Sequence, residues 1–91
     1  MIKAILTGHS KGLGLGIARA LLAKGHPVLG LSRTENTALQ QQFPALLQQT
    51  AVDLSNDLAL DSLIQGDLLE QFIENTTLLL LINNAGLVTP I

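Results

Sequence analysis

The passage from Ile2 to Lys24 constrains this chain more than any other. A short, mostly apolar run, 2–7 (Ile-Lys-Ala-Ile-Leu-Thr), is bounded by Gly8 and opens into a glycine-rich turn from His9 to Gly14. From Leu13 to Lys24 the residues Leu13, Ile17 and Leu21 recur four apart, with Ala18 and Leu22 beside them. The run fits a buried strand, and the repeat that follows is one face of a helix. Gly25 suits a left-handed cap on that helix, and Pro27 forbids its continuation.

The alternation goes on. Residues 27–32 (Pro-Val-Leu-Gly-Leu-Ser) form a second apolar run, and a short Gln-rich helix is expected near Thr37 to Gln42, ended by Pro44. Leu47 to Val52 reads as a third, less apolar strand at an edge. Ser55, Asn56 or Asp57 then caps a third helix carrying Leu60, Ile64, Leu68 and Phe72, with Gly66-Asp67 able to break it in two. Thr77 to Ile82 is a fourth strand. Strand-helix alternation of this kind implies an α/β fold with a parallel sheet and right-handed crossovers. In a doubly wound, Rossmann-like sheet the four strands lie in the order 3-2-1-4, with helices on both faces.

At 91 residues the chain supports one domain, spanning 1–91. Hydrophobic residues make up 47%, which argues against disorder. The net charge is −2 with no basic stripe, so nucleic acid is not an expected partner. No cysteine is present, which removes disulfides and thiolate metal sites. The longest apolar run, Leu78 to Ile82, is too short to span a membrane, and a cytoplasmic protein is the default expectation.

The first turn carries the chemistry. A pyrophosphate placed there meets backbone N–H groups and the positive end of a helix dipole. The glycines are spaced as Gly8, three residues, Gly12, one residue, Gly14, unlike the common G-x-G-x-x-G fingerprint. A turn that merely packs helix on strand is the competing reading; the strand-turn-helix context favours the anion site. His9 and Ser10 lie in this turn within reach of a phosphate or ribose, with His9 expected to face solvent. His26 reads as a loop histidine. Asp57, Asp61, Asp67, Glu70 and Glu74 read as helix surface and caps rather than a catalytic pair.

Thr7 to Gly14 resembles the T-G-x-x-x-G-x-G cofactor motif of the short-chain dehydrogenase/reductase family. Asn83-Asn84-Ala85-Gly86 resembles that family's N-N-A-G motif, and Asp53-Leu54 stands where the family places an acidic residue facing the adenine ring. Each motif is weak alone; the ordered set covers the chain. The resemblance implies an NAD(P) dinucleotide held by Gly8, Ser10, Lys11, Gly12, Leu13, Gly14, Ser32, Arg33, Asp53, Leu54, Asn83, Asn84, Ala85 and Gly86.

The end of the second strand bears on which dinucleotide. NAD-binding domains place a carboxylate ~20 residues after the glycine turn, on the ribose 2′-hydroxyl. Here Ser32-Arg33-Thr34 occupies that place, and an Arg forms a forked pair with a 2′-phosphate. Lys11 adds a second cation, so NADP is favoured over NAD, although Glu35 keeps NAD open. The family's reaction, hydride transfer at a carbonyl or alcohol, uses a Tyr and a Lys in a Y-x-x-x-K motif. This sequence has no Tyr, and its last lysine is Lys24. Three readings stand: the cofactor-binding part of an oxidoreductase, truncated before its catalytic residues; a non-catalytic nucleotide-binding module working as an oligomer; or a structural remnant. The fourth strand, apolar on both faces, is expected to pair or pack with a second copy through its edge or an uncovered sheet face.

Overall fold

The computed structural model describes residues 1–84. The elements are β1 (Ile2–Thr7), α1 (Gly12–Ala23), β2 (Val28–Ser32), α2 (Thr37–Gln42), β3 (Leu47–Ala51), α3 (Asp57–Gln65), α4 (Leu68–Ile73) and β4 (Leu78–Asn83). All three strand pairings are parallel, in the order β3-β2-β1-β4. The expected fold class and strand order are those observed.

Alternation along the strands divides the core in two. Ala4, Leu6 and Val28 point to one face, where Ala18 and Leu22 of α1 and Leu39 of α2 meet them. Leu29 and Leu31 point to the other, where Val52 and Phe72 of α4 close over them, with Ala59 and Leu63 of α3 packed alongside. Each fully buried leucine side chain contributes about 2 kcal/mol. β2 is buried on both faces, as a central parallel strand must be.

The helix ends follow local chemistry. Past α1, the Gly25 N–H donates to Leu22 O at 2.9 Å and the His26 N–H to Leu21 O at 3.1 Å. Gly25 has a φ of 84°, so this is the left-handed glycine cap expected there. Asn36 caps α2 and Asn56 caps α3, each through its side-chain oxygen. Lys3 ties the far end of α4 to the sheet: its Nζ donates to the carbonyls of Phe72 and Glu74, both at 2.7 Å.

Two expectations need correction. The third helix is broken at Gly66, whose backbone is extended, and the phase of the apolar stripe is lost there. Ala59 and Leu63 therefore face the core in α3, while Ile64 is 60% exposed. In α1 the buried residues, Gly14, Ala18 and Leu22, lie four apart on the face one residue on from Leu13, which is 69% exposed.

Candidate functional site

The strands of a parallel sheet all deliver their C-terminal ends to one edge, where open α/β folds place ligands. Here β1, β2, β3 and β4 end at Thr7, Ser32, Ala51 and Asn83. The segments that follow them enclose a groove of about 520 Å³. Gly8, Ser10, Lys11, Ser32, Arg33, Asp53, Leu54 and Asn84 line it, together with Leu31, Val52 and Ser55. Eight of the residues singled out from the sequence thus share one cleft.

Gly8, Ser10 and Lys11 bring the glycine turn to one side of it. Gly8 and Gly12 have φ values of 69° and 63°, a region that side chains disfavour. No atom lies within 4 Å of where a Cβ on Gly12 would stand, so the turn is open on that side. Gly14 does a different job. A Cβ there would overlap the Gly8 carbonyl oxygen and lie 2.7 Å from Asn84 Nδ2. Its bare backbone lets the helix seat against the turn.

The start of α1 is electrostatically distinctive. α2 and α3 have asparagine caps, but the α1 N-cap, Lys11, makes no side-chain cap hydrogen bond and no acidic residue stands in the first turn. Its leading N–H groups and dipole are left for an anion from outside. Lys11 and Arg33 put two cations on the same groove. The residues present fit a dinucleotide phosphate at this turn.

The Asn pair braces the sheet. The Thr7 hydroxyl donates to Asn83 Oδ1 at 3.0 Å and accepts from the Asn84 N–H at 2.9 Å. Asn84 Nδ2 donates to Gly8 O at 3.1 Å, tying the end of β4 to the glycine turn. Gly12, Leu13, Gly14 and Asn83 do not line the groove, and Ala85 and Gly86 lie outside the described residues.

Asp53 is exposed and held by its neighbour. Ser55 Oγ donates to Asp53 Oδ1 at 2.6 Å and the Ser55 N–H at 3.0 Å. These two bonds, with the nearby Arg33 charge, lower the carboxyl's pKa below its ordinary value.

His9 does not face solvent. It is wholly buried, and its Nε2 lies 2.6 Å from Gln49 Oε1. The vacant side of Gly30 makes the room: a Cβ on Gly30 would stand 2.5 Å from His9 Cγ. Sequence reading placed His9 by its turn and missed Gln49, whose one readable signal was a polar residue inside a strand. His26 is half-buried, and Asp57, Asp61, Asp67, Glu70 and Glu74 are exposed, as expected. Among the described residues no helix is long and apolar enough to cross a membrane, and no cluster of metal-ligating side chains occurs.

Comparison with known proteins agrees with this geometry. The family model for short chain dehydrogenases matches residues 3–91. A benzil reductase ((S)-benzoin forming) of Bacillus subtilis is 40% identical over 87 residues, covering 96% of this chain and 34% of that protein. A 2-dehydro-3-deoxy-D-gluconate 5-dehydrogenase of the same organism is 32% identical over 85 residues, covering 93% of this chain and 33% of that protein. The crystal structure of a short-chain dehydrogenase/reductase from Burkholderia vietnamiensis superposes with a TM-score of 0.92 at 40% identity. That match covers 99% of this chain and 43% of the Burkholderia chain. The sequence thus spans about a third of the length of the curated relatives it matches, and it belongs to the short-chain dehydrogenase/reductase family.

Proposed function

We propose that this chain is the dinucleotide-binding part of an NADP(H)-dependent oxidoreductase. The observation that carries this reading is the groove itself. The uncapped start of α1 meets Lys11 and Arg33 there, and Ser32 stands at the end of β2 where a carboxylate would serve NAD. The α1 N–H groups hold the pyrophosphate. Arg33 and Lys11 hold the 2′-phosphate, with Ser10 and Ser32 beside it. Asp53 and Leu54 border the adenine, and Asn84 borders the adenosine ribose.

The bound dinucleotide would supply or accept a hydride at a carbonyl or alcohol carbon; these residues bind and orient it. The Bacillus subtilis relative named as a benzil reductase supports carbonyl reduction as the reaction class. With no tyrosine in its 91 residues, the chain by itself holds the cofactor without turnover. Calorimetric titration with NADPH and NADH tests the reading. NADPH binds more tightly, with modest affinity; tighter binding of NADH, or of neither, contradicts it.

The chain also self-associates in this reading. Beside β4, Ile5, Leu31, Leu60, Leu63, Ile64 and Leu81 line an apolar groove of about 590 Å³. Leu78 and Leu81 of β4 are 51% and 72% exposed. Apolar surface of this kind is usually covered by a partner, and a second copy packed about a two-fold axis supplies one.

A further inference from the structure

Gln49 lies within β3, and its side-chain amide uses its full hydrogen-bonding capacity. Oε1 accepts from the Asn36 N–H at 2.8 Å and lies 2.6 Å from His9 Nε2. Nε2 donates to Asn36 O at 3.2 Å and to Gln40 Oε1 at 3.0 Å. Two acceptor sites and two N–H donors are all that a glutamine side chain has. This fixes the orientation of the amide, because a flipped amide would turn its NH2 toward the Asn36 N–H. It also fixes the role of the histidine: with Oε1 as the acceptor, His9 Nε2 carries a proton and donates, while Nδ1 has no hydrogen-bond partner.

Asn36 continues the network. Its Oδ1 accepts from the Leu39 N–H at 2.9 Å, and its Nδ2 donates to Ser10 O at 2.9 Å. Ser10 Oγ then lies 3.0 Å from Ser32 Oγ and 3.2 Å from Thr34 Oγ1, the two residues flanking Arg33. The loop from Ser32 to Asn36 is therefore pinned at both ends. The glycine turn holds one end, and the interior of β3 holds the other.

We infer that His9, Gln49 and Asn36 form a positioning device that sets the Arg33 loop against the glycine turn, and so sets the preference for a 2′-phosphorylated dinucleotide. The inference rests on the proposed NADP(H) reading. His9 is wholly buried, so it acts by holding Gln49, with Gly30 leaving space for its ring. A guanidinium fork recognises phosphate through two parallel bonds, so its backbone has to be held at one distance and angle. Arg33 is exposed on a loop without regular structure, and this network is what gives that loop a fixed place.

The test is calorimetry with NADPH and NADH on the wild-type chain, Gln49→Met and Asn36→Ser, each also made in an Arg33→Ala background. Gln49→Met keeps the side-chain length and removes all four bonds. Asn36→Ser keeps a capping oxygen for α2 and cuts only the donor to Ser10, so it decides the matter if Gln49→Met does not fold. Each substitution lowers NADPH-over-NADH selectivity, Gln49→Met by about fivefold or more, as for coupled residues in one network. Neither changes selectivity further once Arg33 is absent. If the wild type prefers NADPH but both variants keep its selectivity, or lose both cofactors equally, the positioning inference fails and the proposed function stands. If the wild type does not discriminate, both fail.

Discussion

His9 and Gly30 are fitted to each other. A Cβ on Gly30 would stand 2.5 Å from Cγ, 2.5 Å from Nδ1 and 2.6 Å from Cδ2 of the imidazole, so it would strike the ring face. Gly30 lies mid-strand in β2, where glycine has no intrinsic advantage. Its place there comes from the histidine, which in turn reaches Gln49 on the neighbouring strand.

Gly30→Ala should therefore destabilise the fold by about 1–3 kcal/mol, the usual cost of overpacking. In a His9→Ala background the same substitution should cost little. Urea melts of the two single variants and the double variant measure this coupling. Equal penalties in both backgrounds would mean that the contact is not the reason for the glycine.

Gly14 and Gly16 are two residues apart in α1 and should respond in opposite directions. Alanine at Gly14 would drive into the Gly8 carbonyl and Asn84, whereas nothing lies within 4 Å of a Cβ at Gly16. Gly14→Ala should lower the urea midpoint and weaken any dinucleotide. Gly16→Ala should raise stability by up to about 1 kcal/mol through helix propensity. A stabilising Gly14→Ala would contradict the packing described at the glycine turn.

The sheet, its order and the turn motifs were legible because they rest on local signals. Apolar runs end at glycine or asparagine turns, and the period of the pattern changes between strand and helix. Side-chain destinations were less legible. His9 sits in a turn that ordinarily faces solvent, and its burial depends on Gly30, 21 residues along the chain, and on Gln49, 40 along. Neither partner announces itself as part of the site. Ile64 was assigned to the core by extending one stripe across Gly66, where the extended backbone resets the helical phase.

Asp53 has its pKa lowered chiefly by the Ser55 side-chain bond, then by the Ser55 backbone bond. A lowered folded-state value makes its contribution to stability full above the ordinary carboxylate range and lost as pH falls through the folded value. Urea melts of wild type and Asp53→Asn should therefore differ by a constant amount over about pH 5–8 and converge only in acid. An inflection near neutrality that disappears in Asp53→Asn would contradict this.

Self-association predicts a concentration-dependent mass in light scattering, above the 9.6 kDa of a single chain. Leu81→Glu should shift the population toward monomer. Leu81 is 72% exposed, so the substitution leaves the core intact. A sharp monomer at high wild-type concentration would show that the apolar groove beside β4 does not bind a second copy.

The most direct measurement of the central claim is the affinity of Arg33→Ala for NADPH and for NADH by calorimetry. Charge-assisted hydrogen bonds contribute about 1.5–3 kcal/mol each, so NADPH binding should weaken about tenfold or more. NADH, which lacks the 2′-phosphate, should change by no more than about twofold. Equal weakening of both, or no loss for NADPH, would contradict the assignment of Arg33 to the 2′-phosphate.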